Sequence, residues 1–176
     1  MASPTVLLSE AEIAEKVARL ARQMAPKLTE GAIGVCLLTG GLWFAADLMR
    51  ALEREGVSLG FDALWLSSYG DGEQAGELIL RADLQRPVQG RQVVIMDDVL
   101  DTGASLKFAR DHLLRAGATE VLTSVMARKP PQLADGHLRT FEVDYVAWEA
   151  PPRFLVGYGL DVGGKFRGLP FIGAMD

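Results

Sequence analysis

Cysteine is nearly missing from this chain of 176 residues, and its single thiol, Cys36, has no partner for an internal disulfide. Cys36 lies in the apolar run Ile33 to Leu38, which suits a buried inert thiol better than a nucleophile. Also missing is any stretch of about 18 apolar residues, the length a spanning helix requires. The N-terminus lacks a basic stretch followed by a long apolar core, so no secretory leader is indicated. The expectation is a soluble, cytoplasmic protein. Blocks of like charge are absent too: the net charge is −5, with acids and bases mixed along the chain. That argues against a nucleic-acid partner, because affinity for a phosphate backbone comes mostly from clustered Lys and Arg. Small phosphorylated ligands remain open, since helix N-termini and a divalent metal can hold them. No Walker P-loop, no Gly-x-Gly-x-x-Gly turn, no internal repeat and no linker is present, so residues 1–176 read as one domain.

What is present alternates between strand and helix patterns. Ser9-Glu10-Ala11-Glu12 has the form of a capping box, and Ile13, Val17, Leu20, Ala21 and Met24 follow at helical spacing until Pro26. Ile33 to Leu38 reads as a buried strand, Thr39-Gly40-Gly41 as a turn and Leu42 to Glu53 as a helix. Phe61 to Leu66 and Glu77 to Leu84 read as strands, separated by a small, polar, glycine-rich loop at about 67–76 that is expected to be flexible. Val93 to Met96 is the most β-like run, Gly103 to Ala116 reads as a helix stopped by Gly117, and Val121 to Met126 as a further strand. The pattern predicts an α/β fold with a mostly parallel twisted sheet and helices on both faces. From Tyr145 onward, Gly, Pro and aromatic residues break this rhythm.

The chemistry concentrates between Asp97 and Ser105. In an open α/β sheet, ligands bind at the carboxyl ends of the strands, and this segment follows one. Three aspartates, at 97, 98 and 101, are followed at once by Thr102-Gly103-Ala104-Ser105 opening a helix. Backbone N–H groups and the hydroxyls of Thr102 and Ser105 suit a phosphate, with Gly103 allowing close approach. The carboxylates repel a bare phosphate and need hydroxyl groups or a metal as partners. A sugar phosphate satisfies both halves. The plainer alternative is that Asp97 and Asp98 end a strand while Asp101 or Thr102 caps the next helix.

The run Val93 to Leu106 resembles the 5-phosphoribosyl pyrophosphate (PRPP) motif of type I phosphoribosyltransferases: apolar residues, two acids, two apolar residues, then Asp-Thr-Gly and a Thr or Ser. Three further stretches, in order, resemble the hypoxanthine-guanine branch. These are Phe44 to Arg50 with Asp47-Leu48, then Ser67-Ser68-Tyr69-Gly70, then Phe154 to Asp161 continuing to Phe166-Arg167 and Leu169-Pro170. The resemblance implies the type I fold, with a small hood built from the N- and C-terminal segments. It also implies purine salvage: transfer of the phosphoribosyl group from PRPP to a 6-oxopurine, with magnesium as cofactor and a homodimer or homotetramer as assembly.

By the same resemblance, Asp101 is the general base, and Thr102, Gly103, Ala104 and Ser105 hold the 5′-phosphate. Asp97 and Asp98 take the ribose hydroxyls directly or through the metal. Lys129, Phe154, Leu155 and Asp161 recognise the purine, with Asp161 also associated with metal. Thr39, Gly40 and Arg167 contact pyrophosphate, and Ser68 and Tyr69 form the tip of a closing loop. Physical chemistry supports Lys129: an ammonium only donates and a 6-oxo group only accepts, whereas adenine would set donor against donor. Arg128 beside it is an equal candidate on composition alone.

Two residues depart from the family: Asp97 stands where Glu is usual, and Thr39 where Lys is frequent, which weakens any subunit bridge through that position. The family also raises a strained or cis peptide at Leu38-Thr39. Hypoxanthine, guanine and xanthine all stay open as acceptors, and a regulatory protein that keeps the PRPP fold to bind nucleotides or RNA is the rival of another class. A closing loop excludes water from an oxocarbenium-like centre. Tyr69→Ala is therefore expected to slow transfer and raise PRPP hydrolysis, measured as pyrophosphate release with and without base; an unchanged rate with no added hydrolysis removes the lid role.

Overall fold

The computed structural model describes residues 3–68, 78–132, 136 and 138–175. The capping box forms as its sequence predicts. The Ser9 side chain accepts from the Glu12 backbone N–H, and the Glu12 carboxylate accepts from the Ser9 backbone N–H at 2.8 Å. This starts helix α1 (Glu10–Met24), whose residues Ile13, Val17, Leu20, Ala21 and Met24 are buried along one stripe. A short strand β1 (Thr5–Leu8) precedes it.

The remaining elements are β2 (Ile33–Leu38), α2 (Leu42–Arg54), β3 (Gly60–Ser68), β4 (Leu78–Ala82), β5 (Gln92–Leu100), α3 (Ala104–Arg115), β6 (Glu120–Arg128), β7 (Tyr145–Glu149), β8 (Phe154–Val156) and β9 (Ile172–Met175). Six strands form one sheet in the order β4-β3-β2-β5-β6-β7, parallel throughout except for the antiparallel β3–β4 pair. Its central strands are apolar on both faces because both faces are covered. Cys36, Val94 and Met96 pack with α1 and α2, whereas Val35, Val93 and Ile95 pack with Leu106, Ala109 and Leu113 of α3. The α/β architecture is thus the expected one.

The chain's two ends build a second sheet in the order β1-β9-β8, antiparallel, which corresponds to the hood. Leu8, Leu155, Tyr158 and Ile172 of this region are buried in the same cluster as α1 and α2. Cys36 is fully buried, and burial, with Asp97 and Asp98 nearby, pushes its thiol up to about 12, as an inert core thiol requires. Among the described residues, no helix is long and apolar enough to cross a membrane.

Two expectations are corrected. The fourth strand does not stop at Met96: β5 continues to Leu100, pairing Val99 with Ala127 and Leu100 with Arg128, so Asp97 and Asp98 are strand residues. Acids are poor strand formers, but pairing along β6 outweighs that propensity. The helix after them begins at Ala104, with Gly103 as its left-handed N-cap at φ 83°. Strands β1, β7, β8 and β9, of three to five residues, escaped the periodicity because so short a run shows little of it. Tyr69 and residues 70–77 lie outside the described residues, as does the side chain of Ser68.

Replacing the cap, Ser9→Ala, is expected to cost about 1 kcal/mol of stability. Urea unfolding with an unchanged slope and a lower midpoint checks it.

Candidate active site

Parallel β2, β5 and β6 deliver their carboxyl ends to one edge of the sheet, and three loops meet there: Leu38–Gly41, Leu100–Gly103 and the segment from Lys129. Asp97 and Asp98 occupy the end of the central strand. Desolvation first, and then the neighbouring Asp98 carboxylate, hold the Asp97 carboxyl well above the ordinary range; desolvation likewise raises Asp98. Two carboxylates in this position call for a cation or sugar hydroxyls. A Cβ on Gly40 would lie 1.9 Å from Asp98 Oδ2, so the turn after β2 rests directly on that acid. The Leu38-Thr39 peptide in this turn is cis. Thr39 is exposed.

Among the described residues no three or more His, Cys, Asp and Glu side chains converge into a metal cage. The Asp97–Asp98 pair still fits a magnesium site, because that ion takes hard oxygen donors and is usually held by one or two carboxylates plus substrate oxygens.

Gly103, at the N-terminus of α3, carries no side-chain cap. Thr102 Oγ1 accepts from the Ala104 N–H at 3.3 Å, and Asp101 points elsewhere, so the helix start is not consumed by a capping aspartate. A Cβ on Gly103 would meet Phe141 at 2.8 Å. Ala104 is exposed and Ser105 half-buried beside it.

Asp101 instead receives a hydrogen bond from Lys129 Nζ at 2.7 Å. The Lys129 backbone N–H is itself held by the Leu100 carbonyl at 3.1 Å. These residues line a cleft of about 480 Å³ with Pro130, Gln132, Pro152, Arg153 and Phe154, a volume suited to a small organic ligand. Phe154 is 54% exposed, unusual for a phenyl ring at a strand start, and presents a free apolar surface to the cleft. Leu155 is buried, and its backbone belongs to β8. Arg128 turns away into ion pairs with Glu142 and Glu149, which separates it from Lys129 as the cleft residue.

The hood meets the β2 turn through the C-terminal tail. Gly159, at φ 100°, packs so closely that a Cβ would sit 2.1 Å from the Gly40 carbonyl. The Gly159 N–H donates to the Arg167 carbonyl at 2.9 Å, and the Arg167 guanidinium returns a bond to the Gly159 carbonyl. Arg167 pairs with Asp161 at 2.6 Å, and Asp161 also accepts from the Gly164 N–H, so Asp161 faces this corner rather than the cleft of Asp101 and Lys129. Arg167 stands close enough to favour the charged form of Asp98. Tyr158 donates to Asp47 of α2 at 2.6 Å, joining two sequence stretches that are 111 residues apart.

The description "Phosphoribosyl transferase domain" matches residues 6–161. A hypoxanthine-guanine phosphoribosyltransferase of Streptococcus thermophilus is 31% identical over 172 residues, covering 97% of this chain and 92% of that protein. The chain belongs to the hypoxanthine-guanine phosphoribosyltransferase family. Solved structures agree. A Staphylococcus aureus hypoxanthine phosphoribosyltransferase superposes with a TM-score of 0.86 at 29% identity, covering 97% of this chain and 90% of that one. The Trypanosoma cruzi hypoxanthine phosphoribosyltransferase in complex with the product IMP gives 0.86 at 27% identity, covering 97% and 93%.

For a hypoxanthine-guanine phosphoribosyltransferase, the expected residues divide into two groups. Asp97, Asp98, Gly40 and Arg167, with Asp161 behind Arg167, lie toward the β2 turn; Asp101, Lys129 and Phe154 line the cleft. Sequence reasoning missed Arg139, Arg153 and the Tyr158–Asp47 bond. Arg139 follows an irregular polar stretch with no periodicity to mark it, and Tyr158 was visible only as part of a quoted motif.

Gly159→Ala combines a disfavoured φ, costing about 1–3 kcal/mol, with a clash against the Gly40 carbonyl. Steady-state kinetics should show PRPP kcat/KM reduced by about tenfold or more, since roughly 1.4 kcal/mol is a factor of ten.

Proposed function

We propose that the protein transfers the 5-phosphoribosyl group of PRPP to hypoxanthine or guanine, giving IMP or GMP and pyrophosphate. The observation that carries this reading is the pairing of Lys129 with Asp101 in one cleft beside the exposed face of Phe154. Each member is the other's partner until a base arrives. The pair is partly open to solvent, with 21% of the Lys129 side chain and 52% of the Asp101 side chain exposed, so it is a weak contact. Exposed pairs of this kind contribute about 0.2–1 kcal/mol, and a purine can separate them at little cost.

Once separated, Lys129 donates to the 6-oxo group, and Asp101 takes the proton that the base gives up near N7. Phe154 stacks on the ring and the Leu155 backbone meets its edge. At the other end, Thr102 to Ser105 and the start of α3 hold the 5′-phosphate, while Gly40, Thr39 and Arg167 face pyrophosphate. Asp97 and Asp98 would hold magnesium and the ribose hydroxyls; the ion, when bound, supplies positive charge to the departing pyrophosphate. The bond from the ribose carbon to the pyrophosphate oxygen breaks as the bond to the purine nitrogen forms.

The test is an ultraviolet assay with Mg²⁺, PRPP and each of hypoxanthine, guanine, xanthine and adenine. Turnover is expected with 6-oxopurines and not with adenine; no turnover with any 6-oxopurine overturns the reading. Asp101→Asn should lower kcat by about 10²- to 10⁴-fold, the usual contribution of a positioned base, with PRPP binding retained.

A further inference from the structure

We propose that Arg139 is a positioning residue for phosphoribosyl transfer, its buried guanidinium fixing the separation of Asp101 and Lys129 through the backbone carbonyls of both. The inference rests on the transfer reading above.

The Arg139 side chain is 1% exposed, and burying a guanidinium is costly unless its donors are satisfied. A structural arginine of this kind usually meets a buried carboxylate. The carboxylate here, Glu142 at 3.2 Å, is itself 54% exposed and shared with Arg128. Most of the donors go to main-chain oxygens instead. Nη1 reaches the carbonyls of Asp101 at 3.2 Å, Lys129 at 3.0 Å and Pro130 at 3.3 Å, and Nε reaches the Phe141 carbonyl at 3.1 Å. The first two belong to the very residues whose side chains meet at 2.7 Å in the cleft.

One nitrogen therefore clamps the loop after β5 to the loop after β6. Sheet pairing ends at Leu100 and Arg128, and the Lys129 N–H to Leu100 carbonyl bond is the last main-chain link before the clamp. Past the ladder, Arg139 adds to that bond a tie that reaches the Asp101 backbone itself. A planar guanidinium with a fixed fork spans these acceptors, and the compact ammonium of lysine does not.

Misplacing a catalytic group by about 1 Å can cost roughly 10²-fold in rate. Arg139→Gln and Arg139→Lys are therefore expected to lose about ten- to a hundredfold in kcat/KM for hypoxanthine, with PRPP affinity, measured by titration calorimetry with Mg²⁺, unchanged. The lysine variant keeps the charge and the stem, and it carries the test if the glutamine variant is insoluble. Combined with Lys129→Met, the losses should be less than additive, because both changes disable one unit. Three results overturn the inference in a folded variant: unchanged hypoxanthine kinetics, an equal loss of PRPP affinity, or strict additivity with Lys129→Met. If the wild-type protein transfers to no 6-oxopurine, the transfer reading fails and Arg139 falls with it; an active wild type with indifferent Arg139 variants sinks the positioning role alone.

Discussion

Strand β5 is hydrogen-bonded in parallel to β2 through Val93 to Met96 and to β6 from Gln92 to Leu100, with helices covering both faces. This double pairing brings three strand ends to one edge, where Asp97, Asp98, Asp101 and Lys129 stand. The acids Asp97 and Asp98 are carried to that edge by the ladder itself. A loop would leave them free to move apart; a strand that still pairs with β6 leaves them adjacent, desolvated and raised. Burial penalises their charged forms, and nearby Arg167 and the Asp98 N–H offset part of that.

Around this edge the hood adds a second contact to the turn after β2, which already touches Asp98 of the main sheet. The tail does so because Gly159 and Gly40 have no side chains to keep them apart, Arg167 bridges Asp161 and the neighbourhood of Asp98, and Tyr158 ties the tail to α2 through Asp47. Thr39 and Asp97, which the sequence marks as unusual, fall in this corner, whereas Lys129, Asp101 and Phe154 line the cleft.

The two halves of the site differ in how they are held. The part at the start of α3 rests on main-chain geometry: a glycine N-cap, a helix start and a close turn. The cleft rests on side chains from two loops, and its Lys129–Asp101 pair is a weak, partly exposed contact. Precision there comes from below, through the carbonyls that Arg139 holds.

The capping box at Ser9, the both-faces-buried strands and the run Val93 to Leu106 were legible because each is local: a cap spans four residues, a buried strand shows as continuous apolar character, and the motif is contiguous. Short strands β1, β8 and β9 were not legible, since a few residues do not establish a period and their pairing spans nearly the whole chain. The extent of β5 past Met96 was hidden because propensity speaks against acids in strands, and only the partner β6 decides otherwise. Sequence by itself determined the α/β class, the family and the residue types that the chemistry needs. Tertiary structure alone decided that Lys129 rather than Arg128 faces Asp101, that Asp161 pairs with Arg167, and that Arg139 is buried beneath both loops. Those are outcomes of contacts between segments far apart in the chain, and no local pattern encodes which of two neighbouring cations a distant carboxylate will meet.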